Sequence, residues 1–359
     1  MKKSPEAETQ IRKILSSKFN IKEENFSIKI KEIPGGFLSD VYKIEVFDKV
    51  IGNLDKAYIC KVSRERAFCG LERKEDQVLS YVLSQKINNK ANGRKNFSRS
   101  YLYLAKEKKI VSLPSITEDD MALQFQDFLE GNIYQDLLMT PKSGLILPGD
   151  IETIGHIAKK LAEVHKIKPK FTEDQKREKY SRCLKDVMIH PELSISFIVN
   201  NLGESKIFRG KVKADYLKEM LEVIEYYQKY YQRISLIHGD FIPKNILVRD
   251  NGDVDFIDYS RFEFGEPGVD VGCLYSYLIC MSYYLKNDYY KKLANIFIEK
   301  YISETNDLFI KEIAVVYLGF VGLVAMDEKI YPGIATATRM RFLKYILSSL
   351  KTKKLLLQD

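Results

Sequence analysis

The run Leu236-Ile237-His238-Gly239-Asp240-Phe241-Ile242-Pro243-Lys244-Asn245 constrains the fold of this chain more than any other stretch. It begins as an apolar strand and breaks into a His-Gly-Asp turn, where glycine admits backbone angles closed to other residues. Ile246-Leu247-Val248 and Val254-Asp255-Phe256-Ile257 follow, separated by Asp250-Asn251-Gly252-Asp253. Two short apolar runs joined through Asn-Gly predict a β-hairpin. Three polar side chains mark the unit: Asp240 in the turn, Asn245 five residues later, and Asp258 at the end of the hairpin.

On the two sides of this unit the chain has different periods. Upstream, residues 26–33, 41–46, 57–62, 101–104, 110–113 and 121–128 read as strands, from near-period-two alternation in the first of them and from short apolar runs in the later ones. An amphipathic helix is expected over residues 5–19 (Ile11, Ile14, Leu15), and another over Leu71–Gln85 with Val78, Leu79, Val82 and Leu83 on one face. From residue 126 onward the pattern turns helical, over 151–166, 213–233, 270–285, 289–301, 308–326 and 335–356. Strands followed by helices predict an α+β fold in two lobes. Residues 1–125 are expected to form a small lobe with a five-stranded sheet plus one helix, and 126–359 a mainly helical lobe. His165, on the apolar face of its helix, reads as a buried structural residue; His156 has no metal-like company, and His190 before Pro191 reads as a turn or helix end.

A length of 359 residues supports two lobes, and 45% apolar residues suit a globular chain. The net charge of +8 is uneven, because residues 1–123 hold 24 of the 57 Lys and Arg but 17 of the 49 Asp and Glu. The acids are interspersed and only Asn88–Lys109 is a basic patch, so a solvated surface or an anionic ligand explains the charge better than nucleic acid does. Five cysteines (Cys60, Cys69, Cys183, Cys273, Cys280) form no CxxC pair, which argues against a disulfide scaffold or zinc site and suits a reducing compartment. Met1–Glu8 lacks the apolar core of a signal peptide, and Ile313–Met326 is too short to span a bilayer. A soluble, cytoplasmic protein without a membrane span is the expectation.

The order Asp240, Asn245, Asp258 matches a chemical requirement. Phosphoryl transfer from ATP needs an acid that accepts a hydroxyl proton, then an Asn and an Asp that hold Mg²⁺. Upstream, Pro34-Gly35-Gly36 joins two strands, which describes an ordinary hairpin and equally a turn laying N–H groups over phosphates. Lys61, inside the apolar run Ala57–Val62, reads as solvent-facing or as a phosphate ligand held by a Glu of the next helix. Glu72 and Glu75 both suit the start of that helix by charge, and Glu75 is the preferred partner for Lys61.

Taken together, these pieces resemble the aminoglycoside phosphotransferase and choline kinase family, which shares the protein-kinase-like fold. The resemblance rests on Gly35-Gly36 with Ser39 and Val41-Tyr42, Lys61, Glu75-Asp76-Gln77-Val78-Leu79, Phe128-Leu129-Glu130-Gly131, Leu161-Ala162-Glu163-Val164-His165, His238-Gly239-Asp240 with Asn245, Ile257-Asp258, and Gly265–Asp270. It implies a small antiparallel-sheet N-lobe and a helical C-lobe. It implies Asp240 as catalytic base, Asn245 and Asp258 as Mg²⁺ ligands, and Lys61 fixed by Glu75 on the α/β-phosphates of ATP. Gly35, Gly36 and Ser39 would cover those phosphates, and backbone groups at Gln126 and Phe128 would receive the adenine. His238 would pack the turn, and Asp270 would bind the catalytic-loop backbone or cap the next helix.

The chain also departs from protein kinases. Gly-Gly-Phe-Leu-Ser replaces GxGxxG, Asp258-Tyr259-Ser260 replaces Asp-Phe-Gly, and about ten residues separate Asp258 from Gly268-Val269-Asp270. That leaves no room for a protein-substrate platform, so the resemblance implies a small-molecule hydroxyl acceptor as partner, with no oligomeric state specified. The acceptor is an amino alcohol of choline or aminoglycoside type, an amino acid or a sugar. Glu263, Glu266 and Asp288 are available to a cationic acceptor, and Tyr275, Tyr277, Tyr283 and Tyr284 serve either as acceptor contacts or as helix packing. The competing readings are a protein kinase and a nucleotide-binding module without catalysis.

Overall fold

The alternating runs of the first third pair into one antiparallel sheet. The computed structural model describes residues 5–33, 39–63, 98–104, 109–111, 121–140, 144–189, 205, 207–259, 264–328 and 331–356. The chain divides into two units, Met1–Leu129 and Glu130–Asp359.

In the first unit, α1 (Pro5–Phe19) precedes β1 (Phe26–Ile33), β2 (Ser39–Asp48), β3 (Leu54–Ser63), β4 (Ser98–Leu104), β5 (Lys109–Val111) and β6 (Met121–Asp127). Their spatial order is β1-β2-β3-β6-β4-β5, antiparallel throughout. The sheet thus has six strands where five were expected. The edge strand β5 is the short run read over residues 110–113, three residues long and paired with β4 (Leu102↔Val111, Leu104↔Lys109). The helix expected over residues 71–85 lies outside the described residues.

Side chains alternate across a strand, so one face of the sheet can be wholly apolar. Tyr42, Ile44 and Val46 of β2, Tyr58, Cys60 and Val62 of β3, and Leu123 and Phe125 of β6 form one core with Ile11, Ile14 and Leu15 of α1. Each large side chain removed from water there stabilises the unit by about 1.5–3 kcal/mol. The alternate positions, Lys43, Glu45, Lys61, Gln124 and Gln126, belong to the opposite face. Lys43 and Glu45 accordingly form an ion pair at 2.8 Å.

The second unit is mostly helical. It contains β7 (Asn132–Ile133), α2 (Tyr134–Met139), α3 (Pro148–His165), α4 (Glu173–Ile189) and α5 (Gly210–Tyr227), and then a 3₁₀ turn, Gln228–Arg233. Next come β8 (Ser235–Leu236), β9 (Ile246–Val248), β10 (Val254–Phe256) and β11 (Phe264–Gly265). The helices α6 (Pro267–Leu285), α7 (Asp288–Thr305), α8 (Ile310–Ile313), α9 (Val315–Met326) and α10 (Thr336–Thr352) complete it. The Asn-Gly hairpin forms as expected, with Val254 opposite Val248 and Gly252 at φ 83°. A third strand, β7, extends it, and β8 pairs separately with β11. The apolar run after residue 308 breaks into α8 and α9 at Ala314. Gly272 of α6 lies so close to Ala314 that a Cβ would collide with its carbonyl oxygen. Among the described residues no helix is long and apolar enough to cross a membrane, and Cys60, Cys183, Cys273 and Cys280 are buried thiols not joined in disulfides.

Candidate active site

The His-Gly-Asp turn is fixed before it starts. Leu236 pairs with Phe264 of β11, and its N–H donates to the Ile167 carbonyl at 2.8 Å. Two further N–H groups converge on one side chain: His238 donates to Oδ2 of Asp270 at 2.6 Å and Gly239 to Oδ1 at 2.8 Å. Asp270, in the first turn of α6, is fully buried and binds the loop backbone with both oxygens. Gly239 takes φ 80°, a left-handed angle that relieves the turn of Cβ strain.

His238 is buried and shared between both sides of the hairpin. Its Nδ1 accepts from the Asp240 N–H at 3.3 Å, so Nε2 carries the proton and donates to the Ile257 carbonyl at 2.8 Å. Its ring lies 4.3 Å from that of Tyr259 and 5.7 Å from that of Phe241. Burial, with Asp270 and Asp255 nearby, pushes the Tyr259 phenol well above its ordinary value. His165 also joins this network, as a structural residue: Nε2 donates to Asp270 at 3.0 Å and Nδ1 meets the Tyr301 hydroxyl at 2.7 Å.

The three marker residues come together through the backbone. Asn245 Nδ2 donates to the Asp240 carbonyl at 2.9 Å and reaches Asp240 Oδ2 at 3.3 Å. The Ile257 N–H donates to the Asn245 carbonyl at 2.9 Å, which places Asp258 one residue from that junction. Asp258 adopts φ 65°. Strand alternation therefore ends at Phe256, and the pleat does not set the direction of Asp258 relative to Asp255. Asp255 is buried between Lys160 (2.8 Å) and Arg249, which also donates through Nε at 2.7 Å. Burial works to raise its pKa, but the two cations outweigh it and hold the carboxyl below its ordinary value.

The residues expected to bind nucleotide belong to the first unit. Lys61 lies near the end of β3, opposite Val41 of β2 and Gln124 of β6. Gln126 is buried and its Nε2 donates to Gln124 Oε1 at 3.0 Å. Its backbone lies between Ile59 and Ser98 in the sheet. The Phe128 N–H donates to the Ala57 carbonyl at 3.0 Å, and Lys43 sits 4.4 Å over its ring. Ser39 opens β2 opposite Ser63. Gly35, Gly36, Glu72 and Glu75 lie outside the described residues, as do Arg261, Glu263 and His190.

One suggestion about the acceptor is revised, and two of the tyrosines take the packing alternative. Glu266 does not serve an acceptor pocket: it is fully buried, caps α6 through the Gly268 N–H, and accepts from Tyr180 and Arg233. Tyr275 is core, with its hydroxyl 2.9 Å from that of Tyr345, and Tyr284 donates to the Ala325 carbonyl. Asp288 is exposed at the start of α7. Arg233, Tyr180, Lys160 and Arg249 were absent from the sequence argument. The signals that pointed to them were Asp255 inside an apolar strand and Glu266 beside an apolar helix.

A small antiparallel sheet followed by a helical part is the architecture of kinase-like phosphotransferases, and the solved structures agree. The chain is similar to ethanolamine kinase from Plasmodium vivax, at 15% identity over 98% of this chain and 91% of that one, with a TM-score of 0.53. It is similar to the aminoglycoside phosphotransferase APH(4)-Ia, at 12% identity over 96% and 99%, with a TM-score of 0.50. An aminoglycoside phosphotransferase from Streptomyces rimosus follows at 13% identity, 88% and 98% coverage and a TM-score of 0.49. At such identities the likeness is one of fold. No curated protein matches the sequence significantly. The profile of the phosphotransferase enzyme family matches residues 29–283, most of the chain. The chain belongs to that family, and as a class it is a small-molecule kinase.

Proposed function

We propose that this protein transfers the γ-phosphoryl group of ATP, with Mg²⁺, to a hydroxyl of a small molecule. The observation that carries the reading is the junction of Asp240, Asn245 and Asp258, held by the Asp270 clamp on one side and the Ile257–Asn245 hydrogen bond on the other. Phosphoryl transfer asks a protein mainly for positioning and charge neutralisation. Asp240 orients the acceptor hydroxyl and takes its proton. Lys61 binds the α/β-phosphates, with Glu75 fixing it and Gly35, Gly36 and Ser39 covering them. Since the Phe128 N–H is committed to Ala57, an adenine contact at that residue uses its carbonyl.

The donor set fits Mg²⁺. Asn245 uses its amide nitrogen within the loop, and among the described residues its Oδ1 has no hydrogen-bond partner. One amide oxygen and one carboxylate, Asp258, suit a cation that completes its shell with phosphate and water. When bound, Mg²⁺ neutralises charge on the phosphates. No group of three His, Cys, Asp or Glu suited to a metal occurs among the described residues.

The acceptor belongs to the classes named above: an amino alcohol of choline or aminoglycoside type, an amino acid or a sugar. A protein acceptor is disfavoured because β11 pairs with β8 only a few residues after Asp258. A cytoplasmic location completes the reading, and four buried thiols not joined in disulfides suit it. The test is ATP consumption with Mg²⁺ across a metabolite and antibiotic library, with mass-spectrometric detection of phosphorylated product. Asp240→Asn is expected to lower turnover about 10²–10⁴-fold. If no acceptor makes wild type exceed that variant, the module binds nucleotide without transferring phosphate.

A further inference from the structure

Arg233 ends the 3₁₀ turn directly before β8, five residues ahead of His238. Its guanidinium makes a two-sided clamp. Nε and Nη2 meet Glu266 at 3.0 and 2.9 Å, while Nη1 and Nη2 meet Asp307 at 3.0 and 2.7 Å. Glu266 is fully buried and also holds the Gly268 N–H at 3.0 Å and the Tyr180 hydroxyl at 2.7 Å. Burial works against the charge of Arg233, and the two carboxylates outweigh it, raising its pKa above the ordinary value. A planar fork that satisfies two carboxylates at once fixes direction as well as distance.

Both partners of this clamp lead to the catalytic turn. Glu266 caps α6, whose first turn presents Asp270 to the His238 and Gly239 N–H groups. Asp307 follows α7, whose Tyr301 binds the His165 that binds Asp270. Arg233 itself ends the turn two residues before β8, the strand that leads to His238. The pairing of β8 with β11 covers only Leu236↔Phe264 and Ser235↔Gly265. Two residue pairs are too few to set the register of a strand against a helix end.

We infer that Arg233 is a positioning residue: its clamp on Glu266 and Asp307 sets β8 against the start of α6 and so aims Asp240. The consequence for phosphoryl transfer rests on the function proposed above, but the consequence for the turn does not. A displacement near 1 Å at a reacting group lowers a rate by about 10²-fold. Arg233→Lys keeps the charge and loses the fork. It is expected to lower kcat about 10²-fold while KM for ATP and acceptor stays unchanged. Hydrogen exchange followed by mass spectrometry should show the amides of residues 235–240 exchanging about tenfold faster, with β2 and β3 unaffected. Asp307→Asn, at a partly exposed position, should shift both readings the same way by less, and it decides the matter if Arg233→Lys does not fold. Unchanged exchange at residues 235–240 in a folded variant overturns the inference, as does unchanged kcat in a wild type that turns over ATP. If wild type turns over no ATP, the reaction reading fails, and the exchange measurement still decides the clamp.

Discussion

Lys61 stands near the end of β3 with paired strands on both sides, whereas Asp240 stands on a turn fastened by a buried polar network. In the sheet, position comes from register. Val41 and Gln124 oppose Lys61, and the apolar face packed on α1 keeps the strand from slipping, since a one-residue slip would turn every side chain over. In the helical unit, position comes from hydrogen bonds that converge on one carboxylate, Asp270, from His238, Gly239 and His165. Register is carried by many weak contributions and survives the loss of one side chain. A network in a low-dielectric interior concentrates its energy and does not.

This contrast is open to test, beginning where the effect is largest. Asp270→Ala removes the acceptor of two backbone N–H groups and leaves His165 Nε2 unpaired in the interior. It is expected to lower stability by about 3–5 kcal/mol and to abolish measurable turnover, read by urea denaturation and by ATP consumption. A stable Asp270→Ala variant would remove the network from the comparison. Lys61→Ala should separate function from folding: turnover falls about 10²-fold, with denaturation within about 0.5 kcal/mol of wild type. Loss of the circular dichroism signal instead would make Lys61 part of what holds the sheet together.

The smallest effect concerns Asp255 and pH. Its folded pKa lies below the ordinary value because Lys160 and Arg249 outweigh burial. Its contribution to stability is therefore complete above about pH 4 and lost as the pH falls through the lower folded value. Asp255→Asn should be less stable than wild type near neutral pH, with the difference narrowing below about pH 4. Denaturation midpoints at the two pH values measure this. A difference that persists in acid would show that packing, not charge, matters at this position.

The periodic helices were legible in the sequence because burial on one face repeats every three to four residues. Ile154, Ile157, Ala158, Leu161 and His165 of α3 lie on the buried side as their spacing required. The two-residue strands β7 and β11 were not legible because they carry too few side chains to show a period, whereas β5 and β8 were read from short apolar runs. The Asn-Gly hairpin was read from its turn residues alone. Around the site, the order Asp240, Asn245, Asp258 was visible because it is local. Of the groups that hold the turn, Asp270 was expected from the resemblance, whereas the ion pairs behind it join residues far apart in sequence and were not: Arg233 reaches Glu266 and Asp307, and Lys160 reaches Asp255. Charge and burial show that such a residue needs a partner, but one dimension does not show which.

The left-handed backbone at Asp258 bears on how this protein could change by mutation. At φ 65° only Gly, Asn and Asp are readily accommodated. Asp258→Glu keeps the charge and strains the chain, whereas Asp258→Asn and Asp258→Gly lose the charge and keep the fold. Both of the latter are a single base change away in the codon. Asp258→Glu is one base change away as well, so what separates it from the other two is the backbone angle and not the codon.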